Sequence, residues 1–95
     1  MRVNKDQMDF LKSRIHAIDP EAVIYLFGPR VDDHQKGGDI DLLILSDEYI
    51  PRWELRNIKI DFYQQFGYQQ LDMVNYLIDE DSSFKSLVLL EAEKL

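Results

Sequence analysis

Asp39 and Asp41 flank Ile40 at the head of an otherwise apolar run, Leu42-Leu43-Ile44-Leu45. On a strand, residues two apart point to the same face, roughly 7 Å apart along it. Two carboxylates so placed repel each other, and a divalent cation would relieve the repulsion. The plain structural reading of an isolated Asp-x-Asp is solvation at a strand end. The residues before it add a second reading. Ala22 to Phe27 is a continuous apolar run that ends in Gly28-Pro29, and a polar stretch from Arg30 to Gly38 then leads to the aspartates. Gly28 lets the backbone approach a ligand closely. Successive backbone N–H groups at such a turn can cradle phosphate oxygens. A phosphate cradle beside metal-binding carboxylates is what two-metal phosphoryl or nucleotidyl transfer needs. An EF-hand beginning at Asp39 fails, because Leu43, Ile44 and Ile50 would fall at its fifth ligand, its glycine and its final glutamate.

These residues need a scaffold, and the periodicities describe one. Asn4 to about Ile18 reads as an amphipathic helix with Met8, Leu11, Ile15 and Ile18 on one side. Asn4 suits an N-cap, with Gln7 placed to answer it in a capping box. Asp19-Pro20 ends the helix, since the residue before proline avoids helical geometry. Ala22 to Phe27 suggests a strand covered on both faces. Asp39 to Leu45 is a second strand, and Pro51 suits the first turn of the next helix. Trp53 to Phe66 follows with a stripe at Leu55, Ile58, Phe62 and Phe66, capped by Gly67. Tyr68 to about Ile78 is a third strand. Asp79 to Ser83 is a turn, and Phe84 to Lys94 reads as a last helix with Leu87, Leu90 and Leu95 inward. The order is helix, strand, strand, helix, strand, helix. It predicts an α/β or α+β fold with helices layered on a small mixed sheet.

Composition narrows the function classes. The 95 residues are expected to form a single domain, 1–95. The absence of cysteine excludes disulfides, thiolate zinc sites and cysteine nucleophiles, and fits a reducing cytoplasm. Two histidines, His16 and His34, are too few for a histidine-rich metal site. Eighteen acidic residues against eleven basic ones leave a net charge of −7. Such a surface repels phosphate backbones, which argues against broad nucleic-acid binding. A small polyanionic substrate remains compatible where divalent cations mediate the contact. No apolar run approaches the length of a membrane span, and the N-terminus lacks the apolar core of a signal peptide. The expectation is a cytoplasmic chain with no membrane role.

Leu26 to Ile44 resembles the signature of the minimal nucleotidyltransferases, small members of the polymerase-β-like nucleotidyltransferase superfamily. Their pattern is an apolar strand, Gly-Ser, about nine or ten residues, then Asp-x-Asp followed by apolar residues. Here Gly28-Pro29 is followed by nine residues, Arg30 to Gly38, and then Asp39-Ile40-Asp41. The resemblance implies a third carboxylate on a later strand beyond a helix. Asp72, in Gln70-Leu71-Asp72-Met73-Val74, fits that place, with Asp61 as the competitor. The helical periodicity around Asp61 turns it to the solvent side, away from Ile58 and Phe62.

The resemblance implies that Asp39, Asp41 and Asp72 are the catalytic carboxylates and hold two Mg²⁺ ions. Gly28, Pro29, Arg30, Lys36 and Gly38 would form the nucleotide and phosphate side. The activity implied is transfer of a nucleoside monophosphate from a nucleoside triphosphate to an acceptor hydroxyl. The acceptor, or a partner carrying it, would be another protein, since family members are often paired with a small helical HEPN-type protein, in some cases as antitoxin to toxin. One position departs from the pattern. The family serine is Pro29 here, and proline supplies neither the hydroxyl nor the N–H. Losing a hydrogen bond to a charged phosphate oxygen costs about 1.5–3 kcal/mol. The alternative reading is therefore a catalytically degenerate module that binds and regulates a partner. A third is an acidic interaction domain with an incidental Asp-x-Asp. Base preference, acceptor identity and homo-oligomerisation stay open. Trp53, Tyr63, Tyr68 and Tyr76 are expected to pack rather than to stack on bases, with some of them available to a partner surface.

Overall fold

The computed structural model describes residues 4–28 and 39–95. Among them the chain forms, in order, helix α1 (Lys5–Ile18), strand β1 (Val23–Phe27), strand β2 (Ile40–Ser46), helix α2 (Arg52–Phe66), strand β3 (Leu71–Leu77), helix α3 (Ser83–Leu89) and strand β4 (Glu93–Lys94). The strands make one mixed sheet in the order β3-β2-β1-β4. β1 is antiparallel to β2 and β4, and β2 is parallel to β3 through the α2 crossover. This is an α+β fold with a four-stranded mixed sheet.

Local chemistry explains the boundaries. Asn4 Oδ1 accepts the Gln7 N–H at 3.1 Å and caps α1. The return half of the expected capping box is not made: Gln7 Nε2 points to Gln69 Oε1, 3.4 Å away. Asp19 leaves the helix in extended geometry before Pro20, and its side chain accepts the Glu21 N–H. His16 Nε2 lies 2.9 Å from the Ala22 carbonyl and ties the end of α1 to the start of β1. Gly67 closes α2 at φ +87, with its N–H on the Tyr63 carbonyl.

The core lies on one face of the sheet. Met8, Leu11 and Ile15 of α1 and Ile58 and Phe62 of α2 pack against Ile24, Leu26, Leu42, Ile44 and Leu71. Strand alternation sends Val23, Tyr25 and Phe27, with Asp41, Leu43 and Leu45, to the other face. There Phe84 of α3 meets Phe27 and Tyr76 edge-on and stacked, at 6.0 and 5.9 Å between ring centroids. α3 is short, so it covers this second face only in part. β1 is consequently buried on alternate residues and not on both faces as its apolar run suggested. The strand buried on both faces is β2.

Further expectations are corrected. The last helix ends at Leu89, and Glu93–Lys94 pairs with β1. The open edge of β1 offers backbone groups that need partners, and the Leu95 N–H completes the row on the Ile24 carbonyl at 2.9 Å. Leu87 and Leu90 face solvent, at 68% and 79% exposure; of the three expected inward, only Leu95 packs against the core. The buried residue of α3 is Lys85, whose Nζ donates to the carbonyls of Leu77 (3.0 Å), Ile78 and Glu80 (2.9 Å). Tyr63 lies against the core and Tyr68, though exposed, packs its ring on Tyr63 at 5.2 Å, whereas Trp53 is exposed. No helix among the described residues is long and apolar enough to cross a membrane.

Candidate active site

The ladder between β2 and β3 brings two of the sequence-selected carboxylates together. Asp41 is the register partner of Asp72 on one side and of Phe27 on the other. Residues paired across a ladder share a face and stand one strand spacing apart, roughly 4.8 Å. Asp41 and Asp72 are therefore neighbours on the face opposite α1 and α2, at the sheet end where β1 finishes and β2 and β3 begin. Like charges directly across a ladder disfavour the sheet. This is a placement that hydrophobic packing does not call for.

Gly28 follows Phe27 at that end with φ +91, a geometry that side chains rarely adopt. A Cβ there would overlap Asp41 Oδ2 and lie 3.1 Å from Asp41 Cγ. The room left by the missing side chain is thus taken by the Asp41 carboxylate. Asp41 is half-buried there, while Asp39 and Asp72 are exposed. Asp39 stands two residues upstream of Asp41, just before β2 begins. Among the described residues no three His, Asp or Glu side chains are drawn together as a metal-binding group. Register joins Asp41 to Asp72 and leaves Asp39 at the mouth of the strand. The donor set is oxygen only, which fits a hard cation such as Mg²⁺ and not a nitrogen- or sulfur-seeking metal. Pro29, Arg30, His34, Lys36, Gly37 and Gly38 lie outside the described residues.

Asp61 stands elsewhere. Its Oδ2 accepts from Arg14 Nη1 at 2.6 Å, joining α2 to α1 on the helix layer. The Arg14 guanidinium also lies 5.6 Å from the centre of the Phe10 ring. Asp61 is therefore a partly covered interhelical partner, more enclosed than the solvent-side position its periodicity suggested.

Comparison with solved structures gives an informative likeness. It is to a chain in the crystal structure of a mutant of the toxin–antitoxin complex MntA–HpeT, with a TM-score of 0.64 over 93% of this chain and 69% of that one, at 16% identity. At that identity the likeness is one of fold. No family model matches the chain, and no curated protein matches it.

One neighbour of the site escaped the sequence reading. Gln70 Nε2 approaches both oxygens of Asp72, at 3.3 and 3.4 Å, the outer limit of hydrogen bonding. Tyr68 Oη in turn donates to Gln70 Oε1 at 3.3 Å. The signal was available, since Tyr68, Gln70 and Asp72 are spaced by two and share a face in extended chain. Burial, then the neighbouring Tyr68 and Asp72, raises the pKa of the Tyr63 phenol.

Proposed function

We propose that this chain is a nucleotidyltransferase that moves a nucleoside monophosphate from a nucleoside triphosphate to an acceptor hydroxyl on a partner protein. The observation that carries the reading is the pairing of Asp41 with Asp72 beside Gly28, on the face that the core does not use. Asp41 and Asp72, with Asp39 at the strand mouth, would hold Mg²⁺. When bound, Mg²⁺ neutralises triphosphate charge and lowers the pKa of the attacking hydroxyl. Gly28 keeps the strand end clear of a side chain, so the Asp41 carboxylate can stay at the sheet rim. Arg30, Lys36 and Gly38 are proposed as nucleotide and phosphate contacts. The partner is proposed as a helical HEPN-type protein, in line with the toxin–antitoxin pair to which the similar structure belongs.

A second reading rests on Pro29, which lacks the N–H and hydroxyl that a phosphate-binding serine would offer. In that reading the fold holds its partner without turnover. Calorimetry of ATP and GTP, with and without Mg²⁺, separates the two. The enzyme reading expects Mg²⁺-dependent binding that is lost in an Asp41→Asn/Asp72→Asn variant whose fold is intact by circular dichroism. No binding to the folded wild-type protein at millimolar nucleotide overturns the autonomous enzyme and leaves the binding module.

A further inference from the structure

Helix α3 is built inside out. Its fully covered side chain is Lys85, 9% exposed, while Leu87 and Leu90 are among the most exposed apolar residues described. At about 100° per residue, Leu87 and Leu90 fall on the side of the helix opposite Lys85, and Val88 and Leu89 flank the lysine. The three carbonyls around Lys85 Nζ set this roll, so the outward leucines are held in place by a polar anchor on the far side. Short apolar rows at such spacing fit the surface of another helix.

The surroundings select the kind of helix. Exposed Asp79 and Asp81 precede α3, exposed Glu91 and Glu93 follow it, and Lys94 is the one exposed cation in that stretch. The whole chain carries −7. A second copy would bring the same acidic rim against itself, whereas a basic amphipathic helix would meet both the leucines and the rim. Helix α3 also touches the strand next to the candidate site. Phe84, at the start of α3, touches Phe27, the register partner of Asp41.

We infer that the Leu87–Leu90 row of α3 is the docking surface for a basic amphipathic helix of the partner protein. The inference deepens the reading that a partner protein carries the acceptor, and it rests on that reading.

The test is fluorescence anisotropy with a labelled helical peptide of leucine and lysine, about 18 residues long, at about 0.15 M salt. The wild-type chain is expected to bind it, and a Leu87→Ser/Leu90→Ser variant, unchanged in net charge, to bind at least about tenfold more weakly. A peptide with glutamate in place of lysine is expected not to bind. Equal affinity of wild type and variant, no binding to wild type, or equal binding of the glutamate peptide overturns the inference. So does sedimentation showing a wild-type dimer that the variant loses, which assigns the row to a second copy. Mg²⁺-nucleotide calorimetry on the same variant is expected to match wild type, so failure of the docking surface and failure of the nucleotide site are read separately.

Discussion

Helices α1 and α3 each carry apolar residues at helical spacing, and they use them in opposite ways. α1 turns Met8, Leu11 and Ile15 onto the sheet, while α3 turns Leu87 and Leu90 to solvent. α1 runs 14 residues and packs with α2 over one full face of the sheet. α3 runs seven residues, directly after a turn at the end of β3 whose carbonyls converge on Lys85. Apolar periodicity identifies a face of a helix. Which way that face turns depends on what the helix is set down upon, and at α3 a lysine ammonium outcompetes two leucines.

The contrast can be broken most sharply by truncation. Leu11→Ala, fully buried, is expected to lower stability by about 2–5 kcal/mol. Leu87→Ala is expected to stay within about 0.5 kcal/mol of wild type, as for an exposed side chain. Urea unfolding of both variants measures this, and comparable losses would place Leu87 in a core. Next in size is Lys85→Met. It keeps the length of the side chain and removes the donor from three carbonyls, at an expected cost of about 1–3 kcal/mol by thermal unfolding. A gain in stability would mean that the helix can roll its leucines inward once the ammonium is gone.

The smallest effect sharpens the picture of the turn that receives α3. Tyr49 Oη donates to Glu80 Oε1 at 2.6 Å, and the Leu77 N–H donates to the same oxygen at 3.0 Å. The Tyr49 bond, then the Leu77 bond, holds the Glu80 carboxyl below its ordinary value of 4.5. The stabilisation is therefore present above pH 4.5 and is lost as pH falls through the lowered value of the folded state. Tyr49→Phe is expected to make stability fall less steeply over that acid range, read from unfolding midpoints at successive pH values. An unchanged acid limb would show that the bond does not act in solution.

Part of the candidate site could be read from residue order. Gly28, Asp39 and Asp41 stand out because a glycine at a strand end is followed by paired carboxylates at the head of an apolar run, whereas Asp72 was singled out by the family resemblance. Gln70 could have been found by the same two-residue spacing. That Asp41 faces Asp72 could not, because parallel strands joined by a helix take their register from the crossover and not from adjacent residues. The short pairing of Glu93–Lys94 with β1 was hidden for a related reason: two polar residues carry no strand signal, and the open edge of β1 recruits them.

The sequence by itself determined the helices α1 and α2, their buried stripes, their caps at Asn4 and Gly67, the three principal strands and the acidic character of the surface. All of these depend on residues within a few turns of one another. Only the tertiary structure decided that Asp41 lies between Gly28 and Asp72, that Asp61 pairs with Arg14, and that α3 buries a lysine and exposes its leucines. The first two join groups far apart in the chain, and the third is set by the carbonyls of the preceding turn, to which periodicity is blind.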